Sequence, residues 1–254
     1  MDNIFDSHAH YDARQFNSDR DALLRSLPGS GVRFVMSAAD TLASARRALA
    51  LAERYDYIYC SAGIHPHNAK DAPADMEAKI SEIAKNSPKV RAIGEAGLDY
   101  HYDFSPREIQ IEIFERQLIL ANDLSMPIIV HDREAHADTL RLLKKHRPKG
   151  VVHCYSGSAE MACELLEIGM YIGFTGVVTF PNAKKVLQAA EAVPPERLLV
   201  ETDCPYMAPV PMRGKRCDSS MLVHVIRKLA EIKGIDPQEL ADITCKNACE
   251  LFGI

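Results

Sequence analysis

A single closed (β/α)8 TIM barrel with an extra C-terminal helix is the fold the sequence predicts, and three observations predict it. Short β-rich apolar runs alternate eight times with longer helical patterns, the order of a parallel barrel. The 254 residues match the usual size of one such barrel. No Pro/Gly/Ser-rich linker, charge block, low-complexity run or internal repeat divides the chain, so residues 1–254 read as one domain. An open, doubly wound sheet is the competing arrangement.

Ile4-Phe5 anchors a first strand over 3–7; because residues two apart share a strand face, His8 and His10 project together from its end. A helix over 19–27 leads to Val32-Arg33-Phe34-Val35-Met36, the second strand. Asp40 is placed to cap a run over 41–55 rich in alanine, leucine and arginine. A third strand over 57–61 and a helix over 75–85 precede a fourth strand over 90–95 that ends on Glu95. Ser105-Pro106 opens a long helix to Leu124: serine is a good cap, Pro106 suits the first turn, and Glu108 lies three residues after the serine. Strands over 127–131, 150–153, 170–174 and 197–203 then alternate with helices over 134–146, 159–168 and 183–192. Helices over 220–233 and 237–251 close the chain.

Composition narrows the function classes. The net charge of −5 leaves no global electrostatic footprint for nucleic acid, so a polyanion would have to be held by a local site. The absence of tryptophan and the scarcity of aromatics argue against a base-stacking platform such as an OB fold or an RRM. Seven cysteines without a Cys-x-x-Cys pair suit reduced thiols rather than a disulfide framework. Neither a signal peptide nor a membrane-spanning run is legible, which places the chain in the cytoplasm.

The unusual polar residues cluster by position. His8 and His10 follow the first predicted strand and His65 and His67 the third; Glu95, His131, His153 and Asp203 end the fourth, fifth, sixth and eighth. In a barrel those ends meet at one rim, where active sites of this fold lie. Singly, each has a bland role: His153 as a core imidazole, Glu95 as an arginine partner, Asp203 as a turn cap before Cys204-Pro205. Together, His8, His10, His131 and His153 with Glu95 and Asp203 form a mixed nitrogen and oxygen donor set, more than one divalent ion needs, with Glu95 placed to bridge two. Such a pair can activate a shared water and stabilise the leaving oxygen of a displacement at phosphorus. His101, His136, His146 and His224 lack that placement and read as surface or packing residues, and strand alternation turns Cys154 and Cys204 into the core.

Asp6-Ser7-His8-Ala9-His10, Gly63-Ile64-His65-Pro66-His67, Ala92-Ile93-Gly94-Glu95-Ala96-Gly97-Leu98-Asp99-Tyr100, His131-Asp132-Arg133-Glu134-Ala135, Val152-His153-Cys154-Tyr155-Ser156-Gly157 and Glu201-Thr202-Asp203-Cys204-Pro205-Tyr206 resemble, in order and over nearly the whole chain, the motifs of TatD-family metal-dependent hydrolases. The resemblance implies a TIM-barrel hydrolase of the amidohydrolase-like superfamily, with two Mg, Mn or Zn ions and deoxyribonuclease activity of the 3′-5′ exonuclease type. It also implies that His8, His10 and Asp203 hold one metal, His131 and His153 the other, and Glu95 bridges. Where the family has an Arg-Gly-x-x-Asn-x-Pro pattern, Arg213-Gly214-Lys215-Arg216 is followed here by Cys217-Asp218-Ser219, a change at the rim that touches substrate preference.

The expected chemistry is in-line attack of an activated water on a DNA phosphodiester, with Asp203 accepting the water proton. Glu201 would support a ligating histidine, and His65 would contact phosphate or act as general acid, His67 more weakly. Arg133, Arg213, Lys215 and Arg216 would grip backbone phosphates. A monomer without an obligate protein partner is expected. Two alternatives stay open: a metal-dependent deacylase acting on aminoacyl-tRNA or another ester or amide, and a metal-dependent scaffold without catalysis.

Overall fold

The computed structural model describes residues 1–254. Eight parallel strands, β1 (Ile4–Ala9), β2 (Val32–Ser37), β3 (Ile58–Ala62), β4 (Val90–Asp99), β5 (Ile128–Arg133), β6 (Gly150–Val152), β7 (Tyr171–Phe174) and β8 (Leu198–Val200), lie side by side in chain order. Between them run α1 (Arg20–Ser26), α2 (Leu42–Arg54), α3 (Met76–Asn86), α4 (Arg107–Asp123), α5 (His136–His146), α6 (Ala159–Glu167) and α7 (Lys184–Ala192); α8 (Leu222–Lys233) and α9 (Pro237–Phe252) follow β8. The barrel and its C-terminal helix are therefore as the sequence predicts. No helix is long and apolar enough to cross a membrane.

The barrel closes through residues that flank its rim. Ala9 bridges Cys204 in parallel, the His10 N–H donates to the Cys204 carbonyl at 2.8 Å, and the Asp203 N–H donates to the His8 carbonyl at 2.9 Å. Below this seam the fully buried Asp6 carboxylate accepts from the Thr202 N–H at 2.9 Å and from the Thr202 and Ser219 hydroxyls at 2.6 Å each. Apolar residues such as Phe5, Met36, Ile129, Val151 and Leu199 fill the barrel interior, and the end of α9 plugs its lower mouth, where Phe252 packs on Phe5 with ring centroids 5.9 Å apart.

Several local expectations need correction. Helix α2 is capped by Thr41, whose hydroxyl accepts from the Ser44 N–H, while Asp40 accepts from the Thr41 hydroxyl instead. Ser105 does not cap α4, because its hydroxyl donates to the His67 carbonyl at 3.0 Å and accepts from the Lys70 N–H at 3.1 Å. Strand β4 runs on past Glu95 to Asp99, and β8 stops at Val200, so Glu201 and Asp203 stand on the loop beyond it.

Simple alternation also fails at two ligand positions. Asp6 faces Thr202 and Ser219, and Ile93 lies in the helix-facing core, so alternation would send His8 and Glu95 outward after them. Register shifts between Asp6 and Ala9 and between Ile93 and Ala96 re-aim both inward, as bulges do beside active sites. At the second shift Gly94 has φ of +123°, and a Cβ there would stand 2.6 Å from the Ile129 carbonyl oxygen, so only glycine fits before Glu95.

If Thr202 ties the seam together, Thr202→Val should cost about 1–3 kcal/mol, since its hydroxyl both serves Asp6 and accepts from the Cys204 N–H. Urea unfolding measures this; a variant as stable as the parent would show that the seam does not depend on it.

Candidate metal centre

Glu95, 3% exposed, stands at the centre of the histidine cluster on the rim. Its Oε2 lies 3.2 Å from His8 Nε2 and 3.5 Å from His10 Nε2. Its Oε1 lies 2.8 Å from His131 Nδ1, 2.8 Å from His153 Nε2 and 3.2 Å from His65 Nε2. Asp203 Oδ1 joins the first group, 3.3 Å from His10 Nε2 and 3.8 Å from His8 Nε2. The His8 and His153 rings stack face to face, centroids 3.9 Å apart, and hold the two groups side by side. All six residues proposed as metal ligands thus converge on one cavity, with one oxygen of Glu95 turned to each group.

Hydrogen bonds orient the rings. His10 Nδ1 donates to the Ala38 carbonyl at 3.1 Å, which leaves Nε2 as a donor atom for a cation in the neutral ring. His131 Nε2 lies 3.2 Å from Asp99 Oδ2, which turns Nδ1 to Glu95 in the same way. Behind His153, Glu201 Oε1 stands 3.6 Å from Nδ1, and the same carboxylate accepts from the Ser7 hydroxyl at 3.1 Å and from the Cys154 N–H. Gly173 makes room for it, since a Cβ there would stand 2.5 Å from Glu201 Oε2.

His65 differs from the other rings. Its Nδ1 accepts from the His67 N–H at 3.1 Å, and burial pushes its pKa down to about 4, so the neutral ring carries its proton on Nε2 and presents it to Glu95. That makes His65 a hydrogen-bond donor to the bridging position.

The donor set fits divalent metal. His8 Nε2 and His10 Nε2 approach to 3.1 Å, and His131 Nδ1 and His153 Nε2 to 3.2 Å, contacts that need either protons or a shared cation between the nitrogens. His8 Nδ1 and His153 Nδ1 are buried without a hydrogen-bond partner. Mixed imidazole and carboxylate donors suit Zn, Mn, Fe or Co. Burial alone would raise Glu95, but His153, His65 and His8 outweigh it and hold its carboxyl well below the ordinary range. Burial would likewise lower His10, but its hydrogen bond to Asp203 and the Glu95 charge raise it to about 9.

The sequence reading did not assign Asp99 a role. Its fully buried carboxylate lies 2.8 Å from His67 Nε2 and accepts from the His101 and Tyr102 N–H groups at 3.0 and 2.9 Å, in addition to its contact with His131. Gly94 and Gly97 interrupt the strand pattern before it, which hid the second half of β4; the parallel pairing with β5 that resumes at Ala96 and runs to Asp99 opposite Arg133 is what reveals it.

The remaining predicted contacts lie around this set. His67 faces Asp99 rather than the open cavity, Arg133 sits over the Tyr102 ring at 4.7 Å, and the exposed Arg213 lies over Phe180 at 3.9 Å. Arg216 is held by Asp19 through two hydrogen bonds of 2.6 and 2.8 Å, so it is not a free phosphate contact; Lys215 is exposed. Cys204 is buried as expected, whereas Cys154, beyond the end of β6 with φ of 44°, escapes strand alternation and is only half-buried against Thr175. His101, His136 and His146 pair with Glu134, Asp132 and Glu115 rather than with Glu95 or Asp203.

Residues 5–253 match the family model described as TatD related DNase. An uncharacterized metal-dependent hydrolase of Bacillus subtilis (strain 168), YabD, is 40% identical over 254 residues, covering 99% of each chain. The 3′-5′ ssDNA/RNA exonuclease TatD of Citrobacter rodentium is 36% identical over 259 residues, covering 99% of this chain and 98% of its own. Among solved structures, the TatD homologue YJJV from Escherichia coli superposes with a TM-score of 0.93 at 30% identity, over 99% of this chain and 98% of that one.

Because His10 titrates near 9 without a metal, a cation entering at neutral pH has to displace its proton, and affinity should fall as pH falls below that value. Calorimetry of Mn binding at pH 7.5 in buffers of different ionisation enthalpy should show release of about one proton or more per chain. Heats independent of the buffer would contradict the protonation state assigned to His10.

Proposed function

The chain belongs to the TatD family of metal-dependent hydrolases, and on that footing we propose that it hydrolyses DNA phosphodiesters, trimming strands from the 3′ end. The observation that carries this reading is the division of the Glu95 carboxylate, one oxygen toward His8 and His10 and the other toward His131 and His153. Two divalent ions held by His8, His10 and Asp203 on one side and His131 and His153 on the other, with Glu95 between, would supply charge to both the attacking and the leaving oxygen. The name of the Citrobacter relative, an exonuclease on single-stranded DNA and RNA, supports the substrate class.

The remaining roles belong to the chain itself. Asp203 stands at the cavity mouth with its side chain 15% exposed. Burial would raise its carboxyl, but His10 outweighs this and keeps it ionised, the state a general base needs to take a proton from the attacking water. His65, neutral and with its Nε2 proton directed at Glu95, steadies that carboxylate. Glu201 and Asp99 hold His153 and His131 from behind. Arg213, exposed and stacked over the Phe180 ring, would meet backbone phosphate.

The test is digestion of end-labelled single- and double-stranded DNA with Mg or Mn. Wild-type protein should shorten the strand from its 3′ end, and Glu95→Gln should lose activity by about a hundredfold or more while staying folded. A fully active Glu95→Gln would remove the bridging role. Metal-dependent cleavage of carboxylic esters with no cut in any nucleic acid would replace phosphodiester by carbonyl chemistry.

A further inference from the structure

We propose that Tyr102 and Phe104, with Arg133 seated on the Tyr102 ring, form a ledge on which an unpaired nucleobase of the substrate strand stacks beside the metal centre. The proposal rests on the nuclease reading and sharpens it, because a base can offer its face to the ledge only when it is not stacked inside a duplex.

The two rings lie on the loop that leaves β4 at the rim. They stack with centroids 5.2 Å apart and planes 17° apart, and they remain 47% and 55% exposed. Single exposed apolar residues are ordinary on a protein surface; a stacked pair beside a catalytic cavity leaves apolar area that a ligand can cover. The Arg133 guanidinium, 4.7 Å from the Tyr102 centroid, adds a cation next to this area. An occupant must therefore combine a flat π face with negative charge, as a nucleotide does.

The ledge is also fixed relative to the cavity. His67 meets both rings edge-on, at 5.4 Å from Tyr102 and 4.8 Å from Phe104, and its Nε2 lies 2.8 Å from Asp99. Asp99 accepts from the Tyr102 N–H at 2.9 Å and lies 3.2 Å from His131 Nε2, so one buried carboxylate sets the position of the ledge and of a proposed ligand. Between ledge and cavity stands His67, whose centroid is 4.3 Å from that of His65 and 6.3 Å from that of His131. A base on the ledge thus leaves its own phosphate within reach of the centre.

The experiment compares single-stranded oligonucleotides that differ only at the 3′-terminal residue: a normal base, an abasic tetrahydrofuran, or 2-aminopurine. With Mg-loaded wild-type protein, kcat/KM should favour the base-bearing end by about ten- to a hundredfold, mainly through KM. Stopped-flow mixing should show 2-aminopurine quenching before cleavage. Tyr102→Ala combined with Phe104→Ala should reduce the preference to under about threefold and remove the quenching, while Tyr102→Phe should keep both. Equal cleavage of base-bearing and abasic ends by wild-type protein, or a double variant with the full preference, would overturn the ledge and leave the nuclease reading standing. No cleavage of any strand with Mg or Mn would overturn both. If the double variant does not melt cooperatively, the wild-type comparison and Tyr102→Phe still decide.

Discussion

Burying a carboxylate away from water costs several kcal/mol unless cations and hydrogen bonds surround it, and the C-terminal face of this barrel is arranged around that constraint. Glu95 is enclosed by ring nitrogens of His8, His10, His65, His131 and His153, all within 3.5 Å of one of its oxygens. Each of those residues comes from β1, β4 to β6 or the loops beyond the strands, so the site exists only when the barrel is closed. Closure depends in turn on backbone pairing of His8 and His10 with Asp203 and Cys204, next to the residues that would hold metal. Three more buried carboxylates stand behind the cavity: Asp6 at the seam, Glu201 behind His153 and Asp99 behind His131. Stability of the fold and geometry of the site are therefore carried by the same residues.

Much of this was legible in the chain. Eight alternations of β-rich and helical pattern give the barrel, and the position of His8, His10, His65, Glu95, His131, His153 and Asp203 in the later part of the strands or just beyond them brings them together on one rim, as the distances show. The failures have local physical reasons. Strand propensity follows the β-rich run Leu198-Leu199-Val200 onward into Glu201 and Asp203, but a residue with φ of 56° at Asp203 lies outside a strand. Gly94 and Gly97 weaken the pattern of β4 where pairing with β5 in fact continues, which concealed Asp99. Ser105 has the local signature of a helix cap, yet its hydroxyl serves the backbone around His67 and Lys70, a tertiary contact that no local pattern encodes.

Composition speaks to the fold as a whole rather than to single sites. A low aromatic content excludes a fold built as a stacking sheet, but two rings and one guanidinium are enough to make a local platform if the backbone brings them to the right place. Asp99 contacts both His131, a proposed metal ligand, and His67, which packs on the proposed ledge.

Glu95 is proposed to join two cation sites, one on each side of its carboxylate. Anomalous diffraction from crystals grown with Mn tests it most directly. Two Mn peaks are expected in the cavity, one between His8, His10 and Asp203 and one between His131 and His153, each next to a different oxygen of Glu95. A single peak at full Mn occupancy, or peaks that leave Glu95 uncoordinated, would contradict the account.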